Sequence, residues 1–348
     1  MSDQAKEHDR TDGNGLLPAP TMRDIAAQLG VSRQLVSMVL RGVEGPSSQS
    51  RQRILKTARD LGYRPNSSAR LLTRNRTNLL GVVFSMRNPF QVRFVERLFD
   101  RAAEHGFGVV PGPMTAERSM DTVLAQLLEE RVEGAIIFNP ERDSAVLDEA
   151  LGRIPVSLIG EWIDDATVDN IHVDETAGLN QAVQHLVGHG HCAIAYVGGA
   201  GGRVGHDRQA AYEAAMQAAG LADTVRVFGS DFSEEGGADA ARRIVELDRD
   251  ARPTAIICCG DQCATGALAI FNQHQVAVPD EMSLIGFDDS YLAALSYQQL
   301  TSVHQDVDAS VDAALASVLE RVEGSTRPAR RIPTRTRLVV RASTGARS

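Results

Sequence analysis

Residues 21–40 read TMRDIAAQLGVSRQLVSMVL. The spacing predicts two short helices broken at one glycine. Thr21 and Asp24 stand three residues apart, as a capping box requires, so the first helix starts at Thr21. Ile25, Ala26 and Leu29 form its apolar face, and Gly30 makes the turn. Ser32 is placed to cap the second helix, whose Val36, Val39 and Leu40 point inward. Arg33, Gln34, Ser37 and Met38 are left on the outer face. This is the pattern of a helix-turn-helix whose second helix enters the DNA major groove. The same pattern also suits an ordinary pair of packed helices.

Charge separates these readings. The whole chain of 348 residues carries a formal charge of −9, which by itself argues against a nucleic-acid partner. Residues 21–76, however, hold eleven Arg and Lys against three acids, a surplus of eight positive charges. The remainder then carries a surplus of seventeen negative charges. A basic head on an acidic body confines phosphate attraction to one end. After the turn-rich VEGPSSQS, a third helix is expected over Gln49–Leu61, with Ile54, Leu55, Ala58 and Leu61 at helical spacing and Gly62 ending it. The next stretch, YRPNSSARLL (63–72), combines an extended Pro65 approach, a good cap in Asn66 and only about two helical turns. A helix that short is marginal alone in water.

Residues 1–20 are polar and rich in Asp, Gly, Asn and Pro, and are expected to be a disordered tail without the apolar region of a signal peptide. No apolar run is long enough to span a bilayer. The four cysteines, Cys192, Cys258, Cys259 and Cys263, have neither zinc-ribbon spacing nor disulfide-scaffold density. A cytoplasmic protein with reduced thiols is expected. From Leu79 onward, short apolar runs such as LLGVVF, GAIIFN, VSLIG, AIAYVGG, AIICC and MSLIGF alternate with helical stretches. One such helix is expected to open at Arg208 after the glycine-rich AGGRVGH loop. The alternation predicts parallel α/β sheets, in two series that divide near Asp174. Ligands of such sheets bind beyond the strand C-termini, so a cleft between two lobes is the default site. His185, His189 and His191 suggest a metal only weakly. No nucleophile elbow, P-loop or HExxH pattern is present, and neither cofactor nor metal nor enzymatic activity is expected.

Taken together, the helix pair, the third helix, YRPNSSARLL and the body segments resemble the lactose-repressor (LacI/GalR-type) family. The body segments are PVSLIG (155–160), HGHCAIAYVGG (189–199), RQAAYEAAMQAAGL (208–221), GDQCATGALAIFNQHQVAVPDEMSLIGFDDS (260–290), LTSVHQD (300–306) and RLVVRAST (337–344). The resemblance spans about residues 21–345. It implies a disordered tail (1–20), a helix-turn-helix domain (21–64), a hinge helix and linker (65–76) and a periplasmic-binding-protein-like body (77–345). The body's lobe 1 would comprise about 77–174 and 306–334, and lobe 2 about 175–305 and 335–345.

Carried over residue by residue, the recognition helix is Ser32–Leu40. Arg33 and Gln34 would read bases, and Ser37 would touch base or backbone. The hinge helix is Asn66–Leu72, with Leu72 as the wedge that enters the minor groove and kinks the central step. Thr21, Ser32, Met38, Arg41, Tyr63, Asn66, Ala69 and Arg70 complete the DNA-binding set. Leu35, Met38 and Arg41 depart from the usual threonine, arginine and asparagine, which leaves the operator sequence open. Methionine offers a base only apolar contact where arginine bonds guanine bidentately. For the effector the resemblance implies Arg87, Asn88, Phe90, Glu161, Trp162, Arg208, Phe232, Asp261 and Asp288, with Gly260 standing where an asparagine is usual. These groups suit a sugar or polyol. The expected partners are a pseudo-palindromic double-stranded operator, a small effector and a second copy of the chain, with no membrane. The rival reading, a stand-alone solute-binding protein, fits the body but leaves the basic head without a use.

Overall fold

A computed structural model describes residues 20–40, 42–63, 76–161, 163, 165 and 167–347. The chain divides into two compact units at Arg76/Thr77. In the first unit, α1 (Met22–Leu29), α2 (Arg33–Leu40) and α3 (Ser48–Asp60) bury Ile25, Ala26, Val36, Val39, Ile54 and Ala58 together. The capping box at Thr21 is present: the Asp24 carboxylate accepts the Thr21 N–H at 2.8 Å, while the Thr21 hydroxyl oxygen accepts the Arg23 N–H at 3.2 Å. Gly30 turns the chain at φ +65°, a conformation open to glycine at no steric cost. Ser32 stands just outside α2, and its hydroxyl oxygen accepts the Leu35 N–H at 3.1 Å. The third helix starts and ends one residue before the expected bounds, because the Ser47 hydroxyl caps it by accepting the Ser50 N–H. Tyr63 N–H closes its far end on the Ala58 carbonyl at 2.8 Å, across Gly62 at φ +68°.

The second unit contains two six-stranded sheets. The first is ordered β11-β5-β4-β3-β1-β2 and is parallel throughout, from β1 (Leu79–Ser85), β2 (Gly108–Met114), β3 (Gly134–Phe138), β4 (Val156–Ile159), β5 (Asp169–Val173) and β11 (Arg331–Thr334). Its helices are α4 (Pro89–Glu104), α5 (Met120–Glu129), α6 (Ala145–Arg153) and α11 (Val307–Val322). The second sheet is ordered β12-β10-β9-β8-β6-β7. Its strands are β6 (Ile194–Gly199), β7 (Arg226–Ser230), β8 (Ala255–Cys258), β9 (Ser283–Asp288), β10 (Thr301–Gln305) and the antiparallel β12 (Thr336–Val339). Around it lie α7 (Glu175–Gly188), α8 (Gly202–Ala218), α9 (Glu234–Val245) and α10 (Asp261–Gln273).

The central strands form continuous buried runs because helices cover both faces. The chain passes between the sheets after β5, after β10 and after β11, where a single residue, Arg335, separates the two sheets. These crossings are tied side by side. Asp174 N–H donates to the Thr334 carbonyl at 2.9 Å, and the Thr336 hydroxyl donates to the Asp174 carbonyl at 2.8 Å.

One expected helix start is corrected. The helix after the AGGRVGH loop opens at Gly202 rather than at Arg208, because Gly201 at φ +91° caps it. Arg208 therefore sits on the second turn, where its side chain reaches the strand ends.

Candidate functional site

A cavity of about 70 Å³ lies between the C-terminal ends of the two sheets. Strand ends and helix starts deliver its walls. Asn88 and Phe90 come from the β1–α4 turn, Asn139 and Gly160 from the ends of β3 and β4, and His172 from β5. From the other side come Glu175 at the start of α7, Arg208, Phe232, Asp288 at the end of β9 and Gln305 at the end of β10. Gly160, at φ +85°, keeps the floor open: a β-carbon there would stand 2.2 Å from the Asn139 amide oxygen.

The centre of the site is a buried ion pair. Arg208 is 4% exposed, its Nη1 lies 3.5 Å from Asp288 Oδ1, and it donates to the Cys259 carbonyl at 2.5 Å. Its guanidinium carbon stands 3.7 Å from the Phe287 ring centre and 5.5 Å from that of Phe232, so both rings face a cation. Arg208 Nε is buried with no hydrogen-bond partner among the described residues. An unused buried donor is costly, and a ligand oxygen would relieve it.

Asp288 sits at φ +105°, a strained backbone for a residue with a side chain. Gln305 Nε2 donates to its Oδ1 at 2.5 Å and helps hold that geometry. Burial pushes the Asp288 carboxyl up to about 6, although Arg208 and Gln305 both favour the ionised form. Asp261 lies behind Asp288, away from the cavity lining. Its two oxygens accept the Ser302 hydroxyl and the Ser290 N–H, each at 2.6 Å. Burial, then the neighbouring Asp288 charge, raise it to about 8.

The structure therefore brings five of the nine effector candidates together: Asn88, Phe90, Arg208, Phe232 and Asp288. Arg87 faces a separate groove with Tyr291 and Arg341. Glu161 pairs with Arg142 at 3.0 Å and accepts the Arg203 N–H at the start of α8. Trp162 lies outside the described residues. Gln91, Asn139, His172, Glu175, Gln305 and Thr334 also line the cavity, and the sequence reading did not include them. Their common signal is position, since Asn139 directly follows β3 and Glu175 opens α7 directly after the crossing from β5.

In the first unit, Arg33 and Gln34 are exposed on the first turn of α2, and Ser37 and Met38 are half-exposed. Leu35 is half-buried against the head core, so its departure from threonine serves packing. Arg41, Asn66, Ala69, Arg70 and Leu72 lie outside the described residues.

Residues 21–66 match the bacterial regulatory proteins of the lacI family, and residues 183–344 match a periplasmic binding protein-like domain. The HTH-type transcriptional regulator DegA of Bacillus subtilis is 30% identical over 295 residues, covering 82% of this chain and 87% of DegA. The chain belongs to the LacI family. Among solved LacI-family structures, a transcriptional regulator from a Rhodococcus species is 32% identical, with a TM-score of 0.73 over 77% of this chain and 98% of that one. The regulator CelR, solved as a cellobiose complex, is 27% identical, with a TM-score of 0.67 over 93% and 99%. As a LacI-family member this chain is a DNA-binding transcription regulator, and its relatives are regulators rather than enzymes. Among the described residues no helix is long and apolar enough to cross a membrane, and no group of three or more His, Cys, Asp or Glu could hold a metal ion.

Proposed function

We propose that this regulator is a repressor that acts as a homodimer on a pseudo-palindromic operator and answers to a small polyhydroxylated effector in the interlobe cavity. The observation that carries the effector reading is the buried Arg208–Asp288 pair with its unused Nε donor. Vicinal hydroxyls suit such a pair because each can donate to the carboxylate and accept from the guanidinium. Phe90 and Phe232 supply apolar faces for ring carbons, and the cellobiose in CelR supports the class. Exposed Met86, Phe99, Tyr291 and Tyr297 give the body apolar surface for a second copy.

On DNA, Arg33 and Gln34 read bases, Ser37 touches base or backbone, and Met38 offers apolar contact. Thr21, Ser32, Arg41 and Tyr63 position the head. Arg41, Asn66, Ala69, Arg70 and Leu72 enter this reading from the sequence alone, the last four as a hinge whose Leu72 wedges the minor groove. The cavity touches both lobes, so occupancy changes their relative orientation and thereby whether paired hinges form. Such coupling is typically about 1–3 kcal/mol and is reciprocal.

Mobility shift on the upstream DNA, with and without sugars and polyols, tests the whole reading. A sugar or polyol that changes operator affinity supports it. Equal effector affinity with and without operator refutes allosteric control. Arg33→Ala should cost about 1–3 kcal/mol at one base pair, whereas a phosphate contact would give uniform loss. Leu72→Ala should weaken specific binding far more than nonspecific binding, and equal loss removes the wedge assignment.

A further inference from the structure

The charges around the cavity are unbalanced. Among its described lining residues Arg208 is the one guanidinium, and Asp288 already pairs with it. Glu175 is a second carboxyl in the same wall, fixed there because Asp174 caps α7 by accepting the Ala177 N–H at 3.0 Å. The Glu175 carboxyl takes no hydrogen bond from another described residue. The charged groups that act on it are Arg208 and Asp207 of α8 and the adjacent Asp174, two acids against one cation whose own partner is Asp288. Asp207 in turn pairs with Arg203 at 3.3 Å. The neighbouring polar groups of the lining, Asn88, Asn139 and Gln305, are neutral amides, and His172 of β5 is the one imidazole among the described lining residues.

We propose that the ligand of this cavity carries a basic nitrogen besides its hydroxyls, as in an amino sugar, imino sugar or amino-polyol, and that Glu175 is the carboxylate that receives it. The inference rests on the polyhydroxylated-effector reading above and narrows it. A half-buried carboxylate without its own cation is unfavourable, and a ligand ammonium supplies that cation together with the hydrogen bonds the carboxyl lacks. Arg208 and Asp288 then hold hydroxyls, and Glu175 holds the nitrogen. Burial raises the empty-site Glu175 carboxyl to about 7, against the lowering pull of Arg208. Binding an ammonium requires the ionised carboxylate. Below its pKa a proton must leave, and affinity for the amine falls by about tenfold per pH unit. Neutral sugars share the titration of Asp288, at about 6, but not that of Glu175.

The test is isothermal titration calorimetry on the full-length protein with three matched pairs: glucosamine and glucose, galactosamine and galactose, and 1-deoxynojirimycin and 1,5-anhydroglucitol. In at least one pair the amine is expected to bind about tenfold or more tighter than its neutral partner near neutral pH. Glu175→Gln should bring that ratio close to one and reduce the loss of amine affinity on acidification to that of the neutral partner, while the unliganded variant melts no lower than the wild type. Glu175→Asp, which keeps the charge, should retain the preference if Glu175→Gln fails to fold. Neutral partners that bind as tightly as the amines overturn this inference and leave the carbohydrate reading standing. So does an amine preference that survives Glu175→Gln. If no compound of either series binds, both the inference and the carbohydrate reading fall.

Discussion

Replacing Arg208 by methionine keeps most of the apolar stem and removes the charge, so the pH dependence of the loss isolates what the guanidinium does for Asp288. With Arg208 present the buried Asp288 carboxyl stands at about 6. An unfolded Asp titrates near 3.9, so at about pH 5 Asp288 is mostly protonated with or without its partner. Removing Arg208 then costs only the Cys259 hydrogen bond and the aromatic contacts, about 1–2 kcal/mol. At about pH 8 the wild-type carboxylate is ionised and paired, whereas in the variant it must be protonated or stay buried and unpaired. About two pH units separate pH 8 from the wild-type pKa. At about 1.4 kcal/mol per unit, the added loss is up to about 3 kcal/mol. Glu175 loses the same cationic neighbour and moves the same way. Urea unfolding followed by circular dichroism should therefore show Arg208→Met costing about 1–2 kcal/mol in acid and about 4 kcal/mol in mild base. Placed on an Asp288→Asn background, the substitution should lose most of that pH-dependent part. Equal destabilisation at both pH values would refute the argument, because the cost would then come from packing rather than from the paired carboxylate.

Further outcomes follow from the same contacts. Thr21→Ala removes the capping-box hydroxyl and should lower the stability of the head by about 1 kcal/mol, read from the midpoint of its thermal transition. Gly160→Ala places a methyl group against Asn139 in a backbone conformation at φ +85°, and should leave a regulator that binds operator but no longer answers to effector in mobility shift. Asp261 is raised to about 8 in the fold, so its contribution to stability is full below about pH 4 and is lost as pH rises through about 8. Asp261→Asn should therefore flatten the pH–stability curve of the body across that window, by up to about 1.4 kcal/mol per pH unit. An unchanged slope in urea titrations would count against this assignment.

The sequence reads clearly where local physics decides the structure. In residues 21–40 the cap, the periodicity and the turn glycine all act within a few positions of one another, and the helices form there. LLGVVF, GAIIFN and AIICC read as strands because both of their faces are buried, which demands unbroken apolar runs. Three other strands escape that test: DNIHV, TSVHQ and RIPT. Their polar residues are satisfied by partners far along the chain. Asp169 is fully buried, and burial alone would raise its carboxyl. Hydrogen bonds from Arg327, the Arg330 N–H and Arg321 instead hold it down at about 2. Ser302 donates to Asp261, and Gln305 to Asp288. A local hydropathy pattern cannot register a partner 17 residues away, as for Gln305, still less one 158 residues away, as for Asp169.

The cavity follows the same division. Arg208 and Asp288 stand in motifs that carry a family resemblance, so they are legible one at a time. Glu175, Asn139 and Gln305 become cavity residues only because the crossings after β5 and β10 bring strand ends of two sheets into register. In the effector reading proposed above, the Arg208–Asp288 pair and the residues proposed to select the ligand are thus encoded differently. Each member of the pair lies in a contiguous motif, whereas Glu175 and Gln305 stand where the chain crosses between the lobes. Those junctions are also where a change in lobe orientation must act. A substitution at Glu175 or Gln305 therefore probes ligand choice and transmission together. Measuring operator affinity alongside ligand affinity separates the two, because a change in ligand choice alone leaves the unliganded operator affinity where it was.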